Sequence, residues 1–354
     1  MNKNTFDINV LVRPHIINLK PYSSARDEYT GREGIFLDAN ENPFGSVTHE
    51  PFNRYPDPLQ KEVKKLLAKL KEVKAEQIFL GNGSDEAIDL LFRAFCEPKE
   101  DKVLTMPPTY GMYQVSADIN LVKVAQVPLN TDFSIDTQAV LEQIEQDDQI
   151  KMLFICSPNN PSGNQMAQKD IEKILQSFNG LVVVDEAYID FAPNASLTSL
   201  LPQYSNLVVL QTFSKAWGMA ALRMGMAFAN EAIIQIINKI KPPYNINQLT
   251  QNKVIEALQA DAERQEKVAE ILNLREKLKE DLKTLPIVKK VHPSHANFLL
   301  VKMENAHKTY RDLVEQLVIV RDRSKVLLCE DCLRITVGTE KENKKLIDAL
   351  KQLT

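Results

Sequence analysis

The chain has 354 residues, 44% of them hydrophobic, and a formal net charge of −4. Two packed lobes are expected, because the apolar content can fill a large core and the length exceeds what one core usually holds. Charges of both signs are interspersed, which argues against nucleic acid as a partner, and no run approaches the ~20 apolar residues of a membrane span.

The opening stretch, MNKNTFDINVLVRPH, lacks the apolar centre of a signal peptide. Four cysteines in a chain this long make no disulfide framework, so the reducing cytoplasm is the expected location. Residues 1–44 read as an N-terminal arm joined in part to a small domain. The central PYSSARDEYTGREG of this arm suits a segment lying on another surface, such as a second subunit. ENPFG and RYPDP, around Pro43 and Pro56, form turns that break any helix. KEVKKLLAKLKEVK from Lys61 places Val63, Leu66, Leu67, Leu70 and Val73 at helical spacing, an amphipathic helix with a solvated basic face.

IFLGNGSDEAIDLLFRAFCEP then reads as strand, glycine-rich turn and helix, with Ile88, Leu91, Phe92 and Phe95 on the buried face. Short apolar runs alternate with helical segments beyond it, at Val103, Leu121, Lys151, Leu181, Leu207 and Met224. That alternation predicts a large α/β domain over 45–255 with a mainly parallel sheet. KPPYNIN at Lys241 interrupts the pattern. One long interdomain helix is expected from VIEALQ onward, and residues 256–354 hold it together with a small C-terminal α+β domain. No internal repeat or low-complexity tract occurs. Cys329 and Cys332 form one C-x-x-C without a second ligand pair, and a zinc site needs about four ligands, so no metal is expected.

The candidate chemistry centres on QTFSKAWGMAALRMGMAFA. Lys215 follows an apolar run; in an apolar pocket its ammonium is poorly solvated and the amine can attack a carbonyl. Ser214 and Arg223 supply a hydroxyl and a fixed cationic fork, groups that hold a phosphate. A reactive amine beside a phosphate clamp suggests pyridoxal phosphate; the alternative is an interior lysine reaching solvent. In GNGSDE, the backbone N–H groups of Ser84 and Asp85 would face an anion at a helix N-terminus. Asp185 ends the apolar VVVD run, where it would pair with a protonated pyridine nitrogen or simply cap the next turn. Asn160 in SPNNPSG is held extended by the following proline, which aims its amide. Tyr110 in PPTYGMY would stack on a flat ring or pack in the core.

Taken together and in this order, these stretches resemble the fold-type I pyridoxal-phosphate enzymes of the class I/II aminotransferases, over nearly the whole chain. LDANENPFG, RYPDP, GNGSDEAIDLLFRAFCEP, PPTYGMY, SPNNPSG, VDEAYIDF, TFSKAWGMAALRMG and LRITVG resemble the histidinol-phosphate aminotransferase branch. The resemblance implies an α/β fold-type I architecture with a seven-stranded-type sheet and a small α+β domain. It makes Lys215 the Schiff-base lysine and Asp185 the partner of the pyridine nitrogen. It gives the phenolic oxygen to Asn160 and Tyr188, the ring to Tyr110, and the cofactor phosphate to Ser84, Asp85, Ser214 and Arg223. It also implies a homodimer with shared sites, Tyr55 reaching the phosphate from the neighbouring subunit. Arg334 and Asn40 fall to the substrate. Trp217, and RSKVLLCEDC without the usual glycine, depart from the commoner pattern and put loop shape in question.

The implied reaction exchanges an amine between histidinol phosphate and 2-oxoglutarate, with imidazole-acetol phosphate and glutamate on the other side. An aromatic aminotransferase, a phosphothreonine decarboxylase and a cofactor-binding regulator without turnover are the competing readings. A substrate carrying a phosphate needs positive charge beyond Arg334. VIVRDR offers Arg321 for that outer contact, or for a salt bridge closing the small lobe, with Arg323 expected as a solvated surface charge. Tyr22 in the arm would add a hydroxyl from the other subunit.

Overall fold

The computed structural model describes residues 6–22, 34–194 and 196–353. Most of PYSSARDEYTGREG lies outside them. Seven strands form the large sheet: β1 (Ile78–Asn82), β2 (Lys102–Thr105), β3 (Lys123–Gln126), β4 (Ile150–Cys156), β5 (Leu181–Asp185), β6 (Leu207–Thr212) and β7 (Met224–Ala229). Their order is β1-β7-β6-β5-β4-β2-β3. All neighbours are parallel except β7, which runs antiparallel to both β1 and β6.

The central strands are unbroken apolar runs because both sheet faces are covered. In β5, Val182 and Val184 enter one core cluster while Leu181 and Val183 enter the other. Strand alternation thus serves two cores from one segment. The helix Gly83–Phe95 lies on the second of these faces and buries Ile88, Leu91, Phe92 and Phe95. The short helices Ile8–Leu11 and Pro14–Ile17 pack there too, through Leu11, Val12 and Ile16. Arg13 fixes them by donating from Nε to Glu97 at 3.1 Å. At residues 8–17 the arm therefore sits on the large lobe.

The small lobe is a second sheet of β8 (Val288–Val291), β9 (Phe298–Met303), β10 (Arg321–Asp322) and β11 (Cys332–Thr336), in the order β10-β11-β9-β8 and antiparallel throughout. Leu299, Val301, Leu333 and Ile335 face its helices, Leu278 and Leu350 among them. The single interdomain helix expected from sequence is two: Gln248–Gln259 and Asp261–Lys283, parted at Ala260, whose φ of −103° and ψ of 30° leave the helical region. Arg264 anchors the second helix where it starts. It donates to Asp261 at 2.6 Å and to Asp190 at 2.8 Å, tying the helix to the turn after β5. Among the described residues no helix is long and apolar enough to cross a membrane.

Candidate active site

A cavity of about 170 Å³ opens beyond the carboxyl ends of β4, β5 and β6, lined by Ser84, Asp85, Tyr110, Asn160, Asp185, Tyr188, Ser214, Lys215 and Arg223 among others. Parallel sheets bind ligands at these ends, where loops converge over a rigid floor. Nine positions singled out from sequence, between 84 and 223, meet in this one space.

One wall is the start of the helix Gly83–Phe95. Its first N–H groups have no partners within the helix, and the Asn82 side chain caps none of them. Gly83 has φ +74°, and its N–H is held by the Arg223 carbonyl at 2.7 Å. A Cβ on Gly225 would come within 2.1 Å of the Ser84 nitrogen, so only glycine lets β7 run this close to the helix end. Arg223 reaches over the cradle, with Nη2 3.5 Å from Asp85 Oδ2. Both partners are more than a third exposed, so the pair is weak and Arg223 can exchange it for an anion.

The floor is Asp185. It is buried, its Oδ2 accepts from the Tyr113 hydroxyl at 2.9 Å, and its Oδ1 accepts from the Ala187 N–H at 3.0 Å. Burial raises its carboxyl pKa to about 6, and the two hydrogen bonds oppose that rise. Lys215 stands opposite, its Nζ 5.6 Å from the centre of the Tyr188 ring. Its surface is open to solvent through the cavity mouth, yet protein surrounds most of the amine, and this partial burial, then the Arg334 charge, lower its pKa. The surface exposure limits the effect in the open protein, and anything that fills the mouth strengthens it. Tyr110 donates from its hydroxyl to Asp85 at 3.2 Å. Burial raises the Tyr110 and Tyr188 phenol pKa values, so both are donors near neutral pH.

The small lobe closes one side. Arg334 on β11 donates to the Asn160 side-chain oxygen and stacks 5.2 Å over Phe298, whose ring meets Tyr188 edge-on at 5.1 Å. With its oxygen occupied, Asn160 turns its NH2 group to any acceptor in the cavity. Arg321 lies directly across the ladder from Arg334 and is exposed. Arg323, whose N–H donates to the Cys332 carbonyl at 2.9 Å, continues the same face. Arg323 is not the solvated surface charge expected from sequence. It is half-buried, and its Nε is enclosed with no hydrogen-bond partner among the described residues. The loop after it folds back through Val326 and Cys329. Leu328 and Asp331 take positive φ there in place of the missing glycine.

Three sequence candidates lie elsewhere on this chain. Tyr55 and Asn40 line a separate cavity of about 570 Å³, where Tyr55 stacks on Tyr244 at 4.5 Å. Tyr22 is exposed on a third, beside Arg13, Lys20 and Lys239. Sequence reading passed over Tyr113 and Phe298, and over Arg264, which covers the Trp217 ring at 5.0 Å while Phe213 meets it at 5.0 Å. Trp217 is thereby clamped two residues past the lysine. Only the second tyrosine in PPTYGMY signalled Tyr113 beforehand.

The family model for aminotransferase class I and II matches residues 34–350. The chain belongs to the class I and II aminotransferases. Among these aminotransferases it is 57% identical over 346 residues to a histidinol-phosphate aminotransferase of Cytophaga hutchinsonii, covering 98% of this chain and 99% of that one. The crystal structure of the histidinol-phosphate aminotransferase from Clostridium acetobutylicum superposes with a TM-score of 0.79 at 26% identity, covering 85% and 91% of the two chains. That from Sinorhizobium meliloti, in complex with pyridoxal-5'-phosphate, shares the aminotransferase fold at 23% identity, with a TM-score of 0.77 and 89% of each chain covered.

Proposed function

We propose that the protein is a pyridoxal-phosphate-dependent transaminase interconverting L-histidinol phosphate and 2-oxoglutarate with imidazole-acetol phosphate and L-glutamate, in histidine biosynthesis. The carrying observation is one cavity that holds a lysine of lowered pKa, a buried carboxylate and an anion cradle, edged by Arg334. Full-length similarity to a relative of that activity supports the same reading.

The residues fit the cofactor. Gly225, which no side chain can replace, leaves the Ser84 and Asp85 N–H groups to a phosphate, with Ser214 and Arg223 beside them. Asp185 would face the ring nitrogen, Tyr110 the ring plane, and Asn160 and Tyr188 the phenolic oxygen. When bound, pyridoxal phosphate supplies an aldehyde for the amine and a ring that withdraws electrons from the substrate carbon. Lys215 holds the cofactor at rest. Its amine, when free and neutral, would take the proton from the substrate carbon and hold it for return later in the exchange. Arg334 orients the substrate anion, and Arg321 reaches a phosphate lying farther out than a carboxylate.

A homodimer suits Tyr55, Asn40 and Tyr22, which would enter the partner's site rather than their own. Cytoplasmic location suits four cysteines that are all free and buried. The test is glutamate formation from histidinol phosphate and 2-oxoglutarate by the purified, cofactor-loaded protein. Carbon dioxide release from phosphothreonine without glutamate formation would overturn the reading in favour of a decarboxylase.

A further inference from the structure

Asp185 is held from behind by a group that lies outside the cavity lining. Tyr113 is fully buried in the helix Met112–Ile119, its ring stacked on Phe154 at 4.7 Å and met edge-on by Tyr110 at 5.6 Å. These two aromatic contacts and full burial leave the phenol ring little freedom. Its hydroxyl therefore arrives at Asp185 Oδ2 at 2.9 Å with the angle already set. Ala187 N–H fixes the other oxygen at 3.0 Å. Between them the carboxylate rotamer is determined before any ligand enters.

We propose that Tyr113 is a positioning residue for Asp185, its hydroxyl fixing both the orientation and the charge of the carboxylate presented to the cavity. This rests on the reading that Asp185 pairs with the cofactor ring nitrogen. The groups that set the charge of Asp185 come from every side. Tyr113 and the Ala187 N–H stabilise the anion, Lys215 adds a weaker attraction, and Asp85 opposes it. Cys156 on β4 and the phenols of Tyr110 and Tyr188 complete the surroundings; each has its own pKa raised first by burial and, less, by the Asp185 charge. Of these, the Tyr113 hydroxyl is the side-chain donor bonded to the carboxylate, so its loss moves the titration of Asp185 upward.

The test is Tyr113→Phe in the full chain, which keeps the ring and its stacking, with Asp185→Asn and the double variant alongside. Two quantities are read: the dissociation constant of pyridoxal phosphate from the protein, and the acid limb of kcat/KM against pH. Removing a hydrogen bond to a charged group predicts about tenfold weaker cofactor binding and an acid limb moved up by about one pH unit. In the Asp185→Asn background the same change should do nothing further to either quantity, because the charge it serves is gone. A role in packing alone would instead weaken both backgrounds equally. Tyr113→Phe with affinity and acid limb both unchanged, or equal losses in the two backgrounds, would overturn the inference and leave the role of Asp185 intact. Asp185→Asn with undiminished cofactor affinity would remove that role and this inference together.

Discussion

Arg334 of β11 donates from Nη1 to the side-chain oxygen of Asn160, a residue 174 positions earlier. This bond joins the small sheet to the loop after β4 and spends the acceptor of Asn160, leaving its donor for the cavity. Arg334→Gln should therefore lower both half-reactions, with histidinol phosphate and with glutamate, by at least ten- to a hundredfold, the range for a charge-assisted contact. Single-turnover absorbance measures each half separately. An undisturbed glutamate half would contradict the shared role.

Arg321 and Arg323 share the face of Arg334 but not its surroundings. Arg321 is exposed, so Arg321→Gln should leave the fold intact and cost about tenfold in kcat/KM on histidinol phosphate. Arg323 is half-buried, and its pKa is lowered by burial and then by the Arg321 charge, so keeping its charge there is unfavourable. Arg323→Met should be neutral or slightly stabilising by thermal melting. A melting point lowered by more than a few degrees would show that its buried Nε has a structural partner after all.

Lys215→Ala should abolish transamination while the protein stays folded. Borohydride reduction of the cofactor-loaded wild type should label the peptide containing Lys215, and reduction of the variant should leave no protein-linked label. A label on another lysine would displace the assignment.

If active sites are shared between subunits, Tyr55→Phe and Lys215→Ala chains should complement. Each loses activity alone. A hybrid of the two contains one site with both lesions and one with neither, so mixing should restore activity. Confirmed hybrids without recovery would return Tyr55 to its own chain.

His292 gives the pH dependence of stability a direction. It is buried against Phe133, and burial, then the charges of Lys290 and Lys302, lower its pKa from 6.5 to about 4. The unfolded chain binds this proton more readily, so its contribution is full above pH 6.5 and is lost as pH falls toward 4. His292→Gln should flatten the denaturant-midpoint curve between those limits, by about 3 kcal/mol at most. An unchanged slope would place the acid sensitivity elsewhere.

The large sheet was legible because its signals are local. An apolar run such as LVVVD must be buried on both faces wherever it lies, and the glycines before Ser84 permit one turn geometry. Strand-end positions then followed by topology, which is how Lys215, Asp185 and Asn160 stood out before their cavity was known. What local pattern could not carry was who meets whom. No periodicity distinguishes Tyr113 from any core tyrosine; only the packing of its helix beside β4 and β5 brings the hydroxyl to Asp185. The break at Ala260 lies inside an uninterrupted helical pattern and accompanies the tie of Arg264 to Asp190. In VIVRDR the solvated charge is expected at Arg323, yet the returning loop half-buries Arg323 and leaves Arg321 in water. Sequence fixes hydrophobic period and turn chemistry, which act over a few residues. Burial and the pairing of distant polar groups depend on contacts made only when the lobes assemble.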